Sequence, residues 1–312
     1  MILLAALANG RRVGQGAGMK RLAFLFLTLA GLFWGLGFPL GKLVLRETDA
    51  AHMVLLRLGI AAIAALPFAL RPAARDLFRS PIVLGGGVLY GIAFLIQFEG
   101  LARISVTLAA LIVGVQPALI AIAARLLGER ASRLSWVGVA AASLGAVLIA
   151  GMPGKAGSPT GVALSVLAIF IFLTWLFLVR RAPKAPEAMA LPAVTVVLGA
   201  LTVLPIALVM HGPPKLDLSP AAWAGVITQG VFCTFLATAA WQYGLARVGS
   251  AAAGVFINIE PLIGSVIGVS LFGDQLTAAL CAGGALIIAG SFVVVLGERQ
   301  ADLPELLPGP LI

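Results

Sequence analysis

Apolar runs of about 20 residues, parted by short polar or Pro- and Gly-rich breaks, fill this chain almost from end to end. A run of that length matches the hydrocarbon thickness of a bilayer, where the backbone must satisfy its own hydrogen bonds and so forms a helix. Ten such segments are predicted, at 21–44, 50–70, 81–100, 105–127, 132–151, 159–180, 187–210, 220–243, 249–272 and 276–297. Of 312 residues, 61% are hydrophobic and only 11% charged, against about 45–50% and about 25% in soluble domains. Too few charges remain to clothe a water-exposed surface, so the lipid bilayer is the solvent for most of the chain.

The basic residues punctuate the gaps between runs. With the N-terminus in the cytoplasm, fifteen of the 21 fall on the inner side, among them Arg11, Arg12, Lys20, Arg21, Arg71, Arg75, Arg79, Arg125 and Arg130. Five, Lys42, Arg46, Arg103, Lys155 and Lys215, fall outside, and Arg57 stays within the second segment. The positive-inside rule then predicts a multi-pass inner-membrane protein with both termini cytoplasmic. The net charge of +9 is thereby accounted for, and no basic stripe with interleaved aromatics points to nucleic acid. Residues 1–18 carry an apolar stretch too short to span, with arginines after it instead of before it, and are expected to be a disordered extension.

Little points to chemistry on a substrate. Cys233 and Cys281 lie in apolar runs without CxxC spacing, His52 and His211 stand near segment ends, and no His, Cys, Asp and Glu cluster suggests a metal or a nucleophile–base pair. No cofactor is predicted, and no Walker motif supplies ATP. A channel would need a continuous polar or charged lining, whereas the polar residues here are isolated.

The chain repeats internally. "GLARISVTLAALIVGVQP" at 100–117 aligns with "GLARVGSAAAGVFINIEP" at 244–261, and "LLGER" at 126–130 with "LFGDQ" at 271–275. Gly138 and Gly145 then match Gly283 and Gly290. Two halves of five segments each follow, and because five is odd the second enters the membrane inverted. Secondary transporters use that plan to build a midplane site with alternating access.

"WGLGFPLGK" at 34–42, Arg57, "QPALIAIAARLLGERAS" at 116–132 and "EPLIGSVIGVSLFGDQLT" at 260–277 resemble the signatures of the drug/metabolite transporter superfamily, in particular its ten-helix EamA-type exporters. Asp274 stands where that family commonly has Glu. The resemblance spans residues 20–297. It implies an all-α membrane fold of ten transmembrane helices, arranged as two inverted five-helix repeats around a central cavity, and export of amino acids or other small metabolites. The repeats are expected at 19–156 and 157–299, followed by a cytoplasmic tail at 300–312.

A cavity is lined by polar and aromatic groups turned away from lipid. Tyr90, Phe94 and Gln97 form one such stripe, Thr234, Thr238, Trp241 and Gln242 a second, and Trp34 with Phe38 a shorter one; Trp175 is a further candidate. Asn258 and Glu260 join them, Glu260 being placed deep in the ninth segment. Pro39, Pro117 and Pro261 are read as helix-interior kinks able to serve as hinges. Arg57, Glu129 and Asp274 are read as structural ion pairs or snorkelling groups near helix ends, Glu99 and Arg103 as an i, i+4 pair, and the repeat-related glycines as a close-packed scaffold seam. The expected partners are a small-molecule substrate and lipid. Amino acids suit the aromatic stripes, lipophilic cations are the alternative, and a monomer is favoured.

Overall fold

The computed structural model describes residues 17–126, 132–151, 157–179, 181–183, 187–214 and 216–301. Among these the chain is helical, with one isolated antiparallel bridge between Ile104 and Gly157. The helices are α1 Ala17–Val44, α2 Ala50–Ala69, a short α3 Pro72–Arg75, α4 Pro81–Leu101, α5 Val106–Val113, α6 Gln116–Leu126, α7 Arg133–Gly151 and α8 Pro159–Val179. There follow α9 Ala190–His211, α10 Pro220–Thr228, a π-helical stretch Gln229–Leu236, α11 Ala237–Ile257, α12 Ile259–Phe272 and α13 Ala278–Ala301. Residues 1–16, Glu129 and Arg130 lie outside the described residues. Helix α1 already includes Ala17 and Gly18, which the sequence assigns to the extension.

Six helices are long and apolar enough to cross a membrane: Arg21–Val44, Ala50–Ala69, Pro81–Leu101, Pro159–Val179, Ala190–His211 and Pro220–Arg247. Four shorter apolar helices, Val106–Ile120, Arg133–Leu148, Ile259–Phe272 and Ala278–Val294, occupy the places of the remaining predicted segments. Ile63, Val147, Val209 and Leu271 stand exposed on the outside of the bundle, where lipid and not water suits them. Hydroxyl caps start the helices: Ser105 for α5, Ser132 for α7, Ser158 for α8, Ser219 for α10 and Thr277 for α13 each accept a backbone N–H three residues on.

Two predicted segments are not continuous helices. The fourth breaks between Val113 and Gln116, and the ninth at Asn258, positions that the alignment of the two halves brings together. The reason is proline geometry. A helical proline has no N–H for the carbonyl four residues back and its ring collides with it; four residues before Pro117 is Val113 and four before Pro261 is Ile257, where the helices end. Pro117 and Pro261 are therefore first-turn residues of α6 and α12, a position that tolerates proline, and not helix-interior kinks. Of the three candidate hinges, Pro39 alone lies inside an unbroken helix. The Gly114 carbonyl left at the first break accepts a hydrogen bond from Ser291 Oγ at 2.7 Å. Helix continues from Pro220 through Ile257, so the gap predicted at 243–249 is absent as a break; that stretch carries no proline to end the helix.

Close helix approach holds the bundle together. Helices α7 and α13 form the tightest seam, α4 lies along α8, α1 along α11, and α2 along α9; α4 also meets α9, and α2 meets the π-helical stretch. In the first seam a Cβ added at Gly145 would stand 2.5 Å from the Gly283 carbonyl, and one at Gly290 2.6 Å from that of Gly138. The glycines assigned to a scaffold seam thus make it.

Candidate functional site

Between these helices lies a cavity of about 100 Å3. Helix α1 contributes Trp34, Gly37 and Phe38, α4 contributes Tyr90, Phe94, Gln97 and Phe98, and α8 contributes Phe172 and Trp175. Arg57 of α2, Gln116 of α6, Thr238 and Trp241 of α11 and Glu260 of α12 complete the polar and aromatic part of the wall. The rings interlock. Trp34 and Trp241 lie 5.4 Å apart between centroids, Tyr90 meets Phe94 at 4.9 Å and Trp175 at 5.1 Å, and Phe172 sits edge-on to Phe94 at 5.1 Å. The Tyr90 hydroxyl and Thr238 Oγ1, 3.0 Å apart, join α4 to α11 across the wall.

Most of the sequence-predicted site residues therefore meet in one place, but Thr234, Gln242 and Asn258 do not reach the cavity lining. Thr234 belongs to the π-helical stretch, whose wider turns carry it off the face of Thr238 and Trp241. There its hydroxyl donates to the Gln229 carbonyl, five residues back, and accepts from Arg57 Nε. Asn258 fills the helix break, buried with both amide atoms unpartnered among the described residues, where Gln242 Nε2 is likewise without a partner.

Arg57 is the principal correction. The sequence reading places it near a helix end, pairing or snorkelling; it stands in the interior of α2 and is 2% exposed. Nε donates to Thr234 Oγ1 at 2.7 Å and Nη2 to the Cys233 carbonyl at 3.2 Å. The guanidinium lies over Phe94 at 4.3 Å and Phe98 at 4.9 Å, cation–π contacts that offset part of its desolvation. Because Gly230 has no side chain, the π-helical stretch can approach α2 closely enough for these bonds: a Cβ there would be 2.8 Å from the Arg57 carbonyl.

Glu260 also changes place. Read as deep within a helix of about two dozen residues, it is the second residue of α12, in its first turn, where the helix dipole favours negative charge. It is 8% exposed, and its carboxylate makes no hydrogen bond or salt bridge among the described residues. Its repeat counterpart Gln116 begins α6 and faces the same cavity. Asp274 is neither an ion-pair partner in contact nor a snorkelling group: Oδ2 accepts the Thr107 N–H at 2.8 Å, capping α5 from the other half of the chain. The Glu99–Arg103 pair forms as expected, at 2.5 Å.

Phe172 is missed because "AIFIFLTWLFLV" is almost wholly apolar and offers little polar face to orient it; its one signal is the i, i+3 spacing to Trp175. Arg57 could have been found: a lone basic residue eight positions into an apolar run is too far from either end to snorkel freely. Among the described residues, no three His, Cys, Asp or Glu side chains are grouped so as to hold a metal.

A lipid-embedded helical bundle built around an aromatic and charged cavity defines a polytopic membrane carrier of small molecules. The sequence pattern of the EamA-like transporter family matches residues 21–151 and again 159–296, and the chain belongs to that family. It is 29% identical over 88% of its length to a Streptantibioticus cattleyicolor protein named "Probable terminal-alkyne amino-acid exporter", covering 94% of that protein. It is 25% identical over 88% of its length to a Pseudomonas aeruginosa "Probable biotin transporter", of which it covers 98%. A solved crystal structure, 21% identical, superposes with a TM-score of 0.64 over 89% of this chain and 98% of the other, which shows a shared fold.

Proposed function

We propose that this chain is a secondary exporter of small amphipathic metabolites, amino acids foremost, working by alternating access in the inner membrane. The observation that carries the reading is the cavity wall, where one cationic group, one carboxylate and a cluster of interlocked rings face the same space. Such a lining suits a molecule with a charged head and an apolar body. The two relatives are named for an amino acid and for biotin, both of which carry a carboxylate beside apolar atoms.

Ten spans in two inverted halves belong to the same reading. Its support is that the helix contacts recur when the halves are exchanged: α4 with α8 answers α11 with α1, while α2 with α9 and α7 with α13 answer themselves. The paired breaks before Pro117 and Pro261 lie at the cavity, as discontinuous helices do in inverted-repeat carriers. Both termini are then cytoplasmic.

The Glu260 carboxylate, without an ion-pair partner among the described residues and beside stacked rings, favours a second reading, export of lipophilic cations. Reconstitution into liposomes with labelled amino acids and cationic dyes separates the two. Saturable amino-acid flux supports the first, dye flux alone the second, and steady unsaturable ion conductance rejects both.

A further inference from the structure

Arg57 and Glu260 share one cavity without forming a salt bridge. Opposite charges in a low-dielectric space attract strongly, and two that remain apart leave room between them for something polar. The guanidinium is only partly used. Its side edge is occupied, Nε by Thr234 Oγ1 and one Nη2 hydrogen by the Cys233 carbonyl, while Nη1 makes no hydrogen bond among the described residues. With five N–H donors in a planar fork, the end-on edge formed by Nη1 and the second Nη2 hydrogen is left over, and that edge matches the two oxygens of a carboxylate. Trp175 Nε1, on the same wall, is a second buried donor without a partner among the described residues.

From this geometry we infer that Arg57 binds the carboxylate of the transported molecule end-on, with Glu260 receiving its ammonium and the rings of Trp34, Tyr90 and Trp241 its side chain, so that the carrier selects zwitterionic α-amino acids with apolar side chains over the corresponding amines and amides. The inference rests on the export reading above and adds the residue that enforces selectivity. Thr234 is a positioning residue: it holds Nε so that the unfilled edge stays turned away from the π-helical stretch. The fixed fork also explains why arginine and not lysine suits this place, since the donors an ammonium keeps after binding Thr234 do not form the planar, parallel pair that meets both carboxylate oxygens.

The test compares L-phenylalanine with L-phenylalaninamide, which keeps ring and amine but replaces the carboxylate by a neutral amide, in proteoliposomes carrying the full chain. Wild-type protein should move phenylalanine at least ~10-fold faster than the amide, the size expected when a charge-assisted hydrogen-bonded pair is lost. Arg57→Gln should remove that preference, and Arg57→Lys should restore only part of it. The wild-type comparison decides the matter even where a variant folds poorly. Equal rates for acid and amide in the wild-type protein overturn the role of Arg57 while leaving amino-acid export standing; saturable flux of neither compound overturns the export reading and this inference with it.

Discussion

Replacing Glu260 by Gln keeps the size and hydrogen-bonding capacity of the side chain and removes its ability to ionise. An acidic side chain at bilayer depth costs about 2.5–3.5 kcal/mol on insertion scales. Here no salt bridge or hydrogen bond among the described residues offsets that cost, only the attraction of Arg57 across the cavity acts from a side chain, and the first turn of α12 returns about 0.3–1 kcal/mol through the helix dipole. A buried glutamine without a partner carries its own penalty of roughly 1–2 kcal/mol, so the substitution should stabilise the protein by about 1 kcal/mol. At about 2–4 °C per kcal/mol, detergent-solubilised Glu260→Gln should melt a few degrees above wild type. Transport of phenylalanine into proteoliposomes should fall at least ~10-fold, the value of one charged hydrogen bond to the ammonium. Opposite signs are the point of the experiment, because a group kept for structure loses stability and function together. A variant that melts lower than wild type and transports normally would refute the reasoning.

Gly145→Leu drives a side chain against the Gly283 carbonyl and Ile287 N, 2.5 and 3.0 Å from its Cβ, and should cost about 1–3 kcal/mol as overpacking; fluorescence-detected gel filtration should show lower yield and a lower melting point, and an unchanged profile would show that the α7–α13 seam can open. After Cys233 and Cys281 are replaced by serine, a cysteine at Gly212 should react with an impermeant maleimide added outside intact cells, whereas cysteines at Ala73 and Ala182 should not, and the reverse pattern rejects cytoplasmic termini. Burial pushes the Asp49 carboxyl up, but hydrogen bonds from the His52 backbone and ring, with the charge of His52 and His211, outweigh it and hold the group below its ordinary value. The stability it lends as the cap of α2 is therefore present above the ordinary aspartate range, about 3.9, and lost as pH falls through and below it. Melting points between pH 5 and 3 should drop more steeply for wild type than for Asp49→Asn, and parallel curves would remove Asp49 from the account.

What the sequence reveals follows from which physical signals act locally. Apolar length finds the membrane segments because the bilayer has a fixed thickness, and the glycines of α7 and α13 can be matched between halves because only the smallest residue allows such approach. The stripe of Tyr90, Phe94 and Gln97 is legible because α4 is a regular helix, so a 3.6-residue period projects all three onto the cavity. The stripe through Thr234 fails for the converse reason: the π-helical turns of Gln229–Leu236 change the period, and nothing in "QGVFCTFL" announces them. That irregularity is where Arg57 gains two of its partners, the Thr234 hydroxyl and the Cys233 carbonyl. The helix break before Pro261 was derivable from the proline alone, by counting back four residues to Ile257, and it changes what Glu260 is: not an acid stranded in mid-helix but one set at a positive helix terminus facing a cavity. Both departures from regular helix serve a charged group at the same space, one by binding Arg57 and the other by carrying Glu260. A sequence pattern assumes an ideal period, and this fold abandons the ideal period where its cavity needs charge.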